Sequence, residues 1–545
     1  MKKLKHIFLA GILSLTMLAG CGEKAEMRGS IDDSQDGAPT EAVENTPTPT
    51  AAPTMPPDDN GGNDPYGSGS VPTQPDLRSA ADSYEKLRPL KFRYGYDDNG
   101  YYYAEKNANI ATAHCTTLAL DENYYPELTE AVKNLNEHYH QYVNGKGFQQ
   151  MANEAVEMNK DPEQTWIYKF YRDIEHCVTR SDSVVTSIVT RDESYSGGAH
   201  GGYYFYPTIF DSATGEELTI YDVLEDDQID TLADFLDERL KNKYGAEIFY
   251  DDDLAGRIQK KLNDKGNLDF SLSYDSITFY FQIYELAPYA SGSQTLTLPF
   301  NVYSKLVKRK YTDCAEEYIV QIPSYGLQLP GKDEMIYAHF DLNQYKDAAY
   351  TLTLGDNEPY TETVAAYGTE FFLVHLKNVD VILADVRALE TYETLQSYRI
   401  ENGLIKKYKE NAFFGFWGHL PGDVQNVRLY ARRHYLSSYM VFQASYMVPD
   451  GSIVSDDDFF YIDTEGLDTL ILKHDLTAYD LEGNEVRLFE GATLDFFRTD
   501  ADRWIDMKTA KGEVVRLYVD ASDWPQTIAG EDIQDIFENL YFAEE

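Results

Sequence analysis

The residues best placed to do chemistry lie in one stretch, Asp192–Tyr221. It contains Tyr195-Ser196-Gly197-Gly198-Ala199-His200-Gly201-Gly202 and, directly after, the aromatic run Tyr203-Tyr204-Phe205-Tyr206. An imidazole can serve as a base, a metal ligand or a contact. The glycines around it permit a backbone path that side chains would block. A base needs a nucleophile or a carboxylate partner within reach, and neither stands at a recognisable spacing here. Gly-x-Ser-x-Gly, His-Glu-x-x-His and Cys-x-x-Cys do not occur in the sequence. No catalytic residue is therefore expected, although an unrecognised hydrolase stays open as a third reading of function. His200 is read either as bonded to its own tight backbone or as part of a binding surface with Tyr195, Gly197, Gly198 and Gly201.

Metal chemistry has no better candidate. His138 and His140 stand two apart on an expected helix, so they do not share a face. The triplets Asp251-Asp252-Asp253 and Asp456-Asp457-Asp458 lack the alternating spacing with which a calcium loop wraps its ion. They read as solvated turns or helix starts, where an aspartate is favourable. No metal and no cofactor is expected.

The elements that must hold this stretch can be read from periodicity. Ala111–Leu120 reads as a strand. Pro126 then opens a helix at its first turn, where a missing N–H is harmless, and Leu128, Val132, Leu135, Tyr139 and Tyr142 form its apolar stripe. A second, shorter helix carries Phe148, Met151, Ala152 and Ala155. Strands are expected at Thr165–Arg172, Ile174–Thr179 and Val184–Arg191. Ala213-Thr214-Gly215 reads as the tight turn of a hairpin. Helical faces return with Ile229, Leu232, Ala233, Leu236 and Leu240, then with Leu254, Ile258 and Leu262. The alternating Ser276–Tyr284 and then Gln294–Val302 close the region as strands. This order predicts an α+β domain over 84–310, with helices on an antiparallel sheet. From 311 to 466 the signals are short strands, suited to a sandwich or barrel, with Val386–Tyr398 as the one stretch able to hold a helix.

Three segments carry resemblances. Tyr195-Ser196-Gly197-Gly198-Ala199-His200-Gly201, the Phe210-Asp211…Thr214-Gly215 turn, and Phe279-x-Phe281…Tyr284-Glu285-Leu286-Ala287-Pro288-Tyr289-Ala290 ending in Leu298-Pro299-Phe300 together resemble the extracellular domain of RsiV-type anti-sigma factors. The same domain type precedes the catalytic domain of PdaC-type polysaccharide deacetylases. The likeness covers about Leu90 to Val307. It implies a binding domain whose ligand in that family is lysozyme, and it adds Tyr289 to the candidate binding residues. No Thr-Phe-Asp-Asp-Gly-type metal motif is found, so deacetylation is not carried over. At the other end of the chain, Gly491–Phe496, Thr499–Met507 and Lys511–Leu517 resemble a bacterial SH3-like barrel over 467–545, capped by a terminal helix through Ile533, Ile536, Phe537 and Leu540. At the N-terminus, Lys2, Lys3 and Lys5, the short apolar run Ile7–Leu18 and Leu18-Ala19-Gly20-Cys21 resemble a lipoprotein signal (1–21) with Cys21 as the lipid attachment.

Residues 22–83 are rich in Pro, Thr, Gly and Asp and read as a disordered tether. The place implied is the outer face of the cell membrane of a Gram-positive-type bacterium, through a lipid anchor. The chain holds 47 basic and 92 acidic side chains, a net charge of −45. That excludes nucleic acid as a natural partner and suits a basic one. The leading expectation is a surface protein that binds a basic extracellular protein such as lysozyme. The alternative is a wall-associated protein that binds peptidoglycan or another cell-wall polymer. Cys115 and Cys177 each follow a His on expected strands; they are read either as a disulfide or as two thiols, with Cys314 free in a linker.

Overall fold

The computed structural model describes residues 87–542 apart from 107, 121–124, 251–252, 265–266, 301, 314, 325, 331, 344–346, 389–393, 411–412, 417–422 and 465–466. Cys21, the tether, Asp251, Asp252 and Cys314 lie outside the described residues. No helix among the described residues is long and apolar enough to cross a membrane.

The chain starts with β1 (Arg93–Tyr103) and β2 (Ala108–Ala119), then α1 (Pro126–Val143) and α2 (Lys146–Asn159), then β3 (Phe170–Ser181), β4 (Val185–Tyr195) and β5 (Gly202–Asp211). The strands form one sheet in chain order. Three of its pairs are antiparallel, but β2 and β3 run parallel. This corrects the expected antiparallel sheet. A parallel neighbour needs a crossover, and α1 and α2 provide it, covering one face. Pro126 sits in the first turn of α1, which buries Leu128, Val132, Tyr139 and Val143. α2 buries Phe148, Ala152 and Ala155. Both helices pack on Ile110, Ala113, Cys115 and Ile174.

Strand alternation also decides the cysteines. Cys115 shares the helix-covered cluster with its register partner Ile174. Cys177 lies three residues beyond Ile174, an odd step, and its charged neighbours are Arg428, Glu175 and Arg191. Successive side chains on a strand point to opposite faces, so the two sulfurs stand on different sides of the sheet. Both are buried and are not bonded to each other, so the Cys115–Cys177 disulfide reading is set aside.

After β5 the chain turns at Ala213-Thr214-Gly215. Asp211 Oδ1 accepts from the backbone N–H of Ala213 and Thr214 at 3.1 Å each, and Phe210 pairs with Glu217 across the turn. Gly215 has φ +66°, and a Cβ there would fall on the backbone of Glu127 at the start of α1. The left-handed conformation costs an L-residue ~1–2 kcal/mol, and the clash adds to that. Gly215→Ala is therefore expected to cost roughly 2–4 kcal/mol, read as a lower urea midpoint at unchanged slope. A shift below ~0.5 kcal/mol would show that α1 yields freely.

A second layer follows: α3 (Ile220–Val223), α4 (Leu232–Tyr244) and α5 (Leu254–Asn263), then the antiparallel meander β6 (Phe270–Leu272), β7 (Ser276–Phe281) and β8 (Gln294–Pro299). The stripes of α4 and α5 meet Ile277, Phe279 and Phe281 in a core that also takes Val185 and Ile209 from the first sheet. Asp253, last of its triplet, caps α5 by accepting from Gly256 N–H.

Beyond α6 (Arg309–Thr312) the structure is dominated by β-strands. One sheet orders β10 (Leu327–Gln328), β11 (Met335–Asn343), β12 (Asp347–Leu354) and β13 (Tyr360–Val364). Another runs β17 (Leu404–Glu410), β16 (Thr394–Glu401), β15 (Val379–Arg387), β14 (Gly368–Leu376) and β9 (Tyr318–Gln321). They share a core built on Ile336, Tyr350, Leu352, Leu373, Ile382 and Tyr398. The helix thought possible over Val386–Tyr398 is replaced at its end by β16; 389–393 lie outside the described residues.

The last sheet joins β18 (Gly415–Phe416), β19 (Val427–Tyr435), β20 (Ser437–Met447) and β22 (Phe460–Ile462) to β26 (Thr493–Thr499), β27 (Trp504–Thr509), β28 (Val514–Tyr518), β24 (Leu476–Tyr479) and β25 (Glu485–Leu488); β21 (Ile453–Val454) pairs with β20, and β23 (Leu470–Leu472) with β26. Phe460 pairs with Thr499 across the expected boundary at 466/467, and one core holds Val441 together with Phe496, Ile505 and Met507. Among the described residues this sheet stays open, so no closed barrel is formed. The terminal helix is short, Ile533–Ile536.

Candidate functional site

The loop between β4 and β5 carries the glycine–histidine segment. Gly197 has φ +80°, and a Cβ there would sit 2.8 Å from the Phe170 ring. Tyr195 donates its hydroxyl to Gly198 O at 3.0 Å. His200 is exposed, yet it is held on three sides. Nδ1 lies 3.1 Å from Gly201 O, which can only accept, so that nitrogen carries the proton and donates. Nε2 then accepts from the Tyr284 hydroxyl at 2.9 Å. The imidazole stacks on Tyr289, with centroids 3.7 Å apart and planes 19° from parallel.

Tyr284 and Tyr289 come from the loop between β7 and β8, in the second layer. Tyr284 adopts φ +64°, a conformation rare for a side chain of its size. It remains 51% exposed. The site is thus assembled by two loops from two layers.

The surface continues along β5. Tyr204 and Tyr206 stand on the same face of this edge strand, their rings 6.1 Å apart and nearly parallel at 15°. Tyr204 is close enough to Tyr284 and Tyr289 for each hydroxyl to raise its proton affinity, after the larger effect of burial. Below them Asp192 binds Arg172 with both carboxylate oxygens, at 2.9 and 2.5 Å. Arg172 lies 3.6 Å over the Tyr142 ring. The polar floor is therefore paired, and the top is a run of aromatic rings.

Of the six candidate binding residues, the structure brings His200 and Tyr289 into direct contact. Gly201 serves as the backbone acceptor, and Tyr195 and Gly198 close the loop beneath. Gly197 packs on the protein interior and is a shaping residue. Tyr204 and Tyr206 belong to the aromatic run Tyr203–Tyr206, which the sequence offers as a stacking or protein-binding surface; Tyr284 is not among the candidate binding residues. Alternation within that run carried a signal for both; Tyr284 carried none beyond its place in the downstream motif. Among the described residues, the His200 acceptor nitrogen is engaged by the Tyr284 hydroxyl. The arrangement is an ordered cluster of rings held by hydrogen bonds and stacking.

The loop that supplies Tyr284 and Tyr289 lies inside residues 221–301, which match the family described as "Protein of unknown function (DUF3298)". The chain carries a DUF3298 domain. His200 and its glycines precede the matched residues, so the DUF3298 segment contributes one wall of the site. A crystal structure of a DUF3298 family member from Bacteroides fragilis is similar at 18% identity and TM-score 0.30, covering 41% of this chain and 94% of that one. A DUF3298 family protein from Pseudomonas aeruginosa is similar at 16% identity and TM-score 0.28, covering 41% of this chain and 97% of that one. No curated protein matches the chain.

Proposed function

We propose that this is a lipid-anchored cell-surface protein whose aromatic patch binds a basic extracellular protein of the lysozyme type. The observation that carries the reading is the ordered ring cluster of exposed His200 and Tyr284 with half-buried Tyr289. Aromatic side chains dominate the energetics of protein contacts. Rings that are already ordered lose little freedom when a partner docks. The net charge of −45 draws a basic partner in and speeds encounter. The RsiV-type resemblance of the same residues supplies the class of partner, and the signal ending in Cys21 supplies the anchor.

The test is binding of the chain to immobilised lysozyme at low salt. Binding is expected, weakening as salt screens the charges. His200→Ala and Tyr289→Ala should each weaken it about tenfold or more, with His200→Ala, at an exposed ring, leaving the melting temperature unchanged. No retention at low salt, or retention indifferent to both substitutions, would reject the reading.

A further inference from the structure

A cavity lies where the first sheet meets the last. It has a volume of about 390 Å³ and opens between the β1–β2 end and the strands around Asp495 and Lys508. Its aromatic walls are Tyr101, Tyr102 and Phe496; its polar walls include Asp98, Asn109, Thr469, Asp495 and Lys508. The volume falls at the small end of the roughly 300–1,000 Å³ typical of ligand sites.

One polar atom in this wall is unused. Asn109 is only 8% exposed, and its Oδ1 has no hydrogen-bond partner among the described residues. Its Nδ2 reaches Asp495 Oδ1 only at 3.4 Å. A buried amide oxygen left unpaired is costly, and a ligand donor in the cavity would relieve that cost. The neighbouring Thr469 hydroxyl donates to Asp495 Oδ1 at 2.6 Å. Burial pushes the Asp495 carboxyl up, toward a form that can donate as well as accept.

The charges around the cavity are already matched. Asp98 binds both His114 Nδ1 and Lys508 Nζ, the latter at 3.1 Å. Burial works against its ionised form, but these two cations outweigh that and hold the carboxyl below its usual range. Asp468, another wall residue, pairs with Lys169 at 2.8 Å. A charged ligand would break one of these pairs or bury a charge without a partner, which is costly. A neutral ligand rich in hydroxyls, with an apolar face to lay on a ring, suits both the paired polar wall and the aromatic one.

We infer that this cavity binds a neutral saccharide of one or two pyranose rings, with Asn109 Oδ1, Asp98 and Asp495 at its hydroxyls and Tyr101 or Tyr102 against a ring face. The inference is independent of the protein-binding reading of the His200 patch. The experiment uses the full chain with glucose, N-acetylglucosamine, their β-1,4-linked disaccharides and glucuronate, read by saturation-transfer difference NMR and titration calorimetry. At least one neutral sugar is expected to bind at millimolar concentration or better, and to bind more tightly than glucuronate. Asn109→Ala should weaken it at least tenfold, and His200→Ala should leave it unchanged. Tyr101→Ala, at a ring 36% exposed, alters the rim without touching the core, and it too should weaken binding severalfold. The inference is overturned by no binding of any neutral sugar, by preference for glucuronate, or by affinity unchanged in Tyr101→Ala and Asn109→Ala.

Discussion

Arg428→Met is expected to lower the stability of the chain by about 3–5 kcal/mol, the usual cost of removing one partner of a buried ion pair. The guanidinium belongs to β19 but works inside the first sheet. Its side chain is 2% exposed, and Nη2 meets Glu175 Oε1 at 3.2 Å. The same nitrogen donates to the Tyr96 hydroxyl at 2.8 Å. The rings of Tyr94, Tyr96 and Phe442 surround the group at 5.2, 5.8 and 5.9 Å. Methionine fills much of the volume but leaves the Glu175 carboxylate, 3% exposed, with Arg191 alone at 3.0 Å. The double variant Arg428→Met with Glu175→Gln removes that stranded charge and should regain part of the loss. Urea titrations of the three proteins decide it. A loss below ~1 kcal/mol for Arg428→Met, in the range of an exposed pair, would mean that water reaches the site.

The same residue shows why part of the fold was illegible in sequence. Helices α1, α2, α4 and α5 could be read because their buried positions recur locally every three or four residues. Nothing local links Arg428 to Glu175, 253 positions away, or Asn426 to Leu90 and Phe92. These contacts lock the N-terminal sheet to the C-terminal one. For the same reason the expected boundary at 466 gave no hint that Phe460 and Thr499 are neighbours. The parallel pairing of β2 with β3 was missed although its cause, two intervening helices, had been read correctly. At the candidate site the glycines and His200 were visible as a cluster in the chain. Tyr284, 84 residues further on, became visible only when two loops were placed together. The cavity at Asn109 was hidden altogether, since its walls come from opposite ends of the described chain.

His176→Asn is expected to remove an acid sensitivity from the protein. His176 is fully buried in β3. Its Nδ1 pairs with the Thr190 hydroxyl at 2.8 Å, and its ring meets the edge of Tyr139 at 5.1 Å. Burial, helped by the charge of Arg428 and by His138, pushes its pKa from 6.5 down to about 3. The folded protein therefore keeps His176 neutral in a range where the unfolded chain takes up a proton. Stability from this group is fully present above about pH 6.5 and is lost at about 1.4 kcal/mol per pH unit as pH falls toward 3. Asp423 acts in the opposite sense. It accepts from Ser181 N–H at 3.0 Å and Asn426 Nδ2 at 2.8 Å, yet burial raises its pKa to about 7. The stability it contributes is complete below about pH 4 and is lost as pH rises to 7. Over the shared window the two slopes offset one another. Taking away His176 should unmask the Asp423 slope, so that urea midpoints of His176→Asn fall as pH rises from about 4.5 to 6.5. Asp423→Asn should do the reverse and leave a protein that weakens as it is acidified. The decisive quantity is the difference between wild type and His176→Asn, which should climb with pH up to about 6.5 and then level off. A difference independent of pH would mean that His176 takes up its proton as readily in the folded protein as in the unfolded chain, in contradiction to its burial beside Arg428.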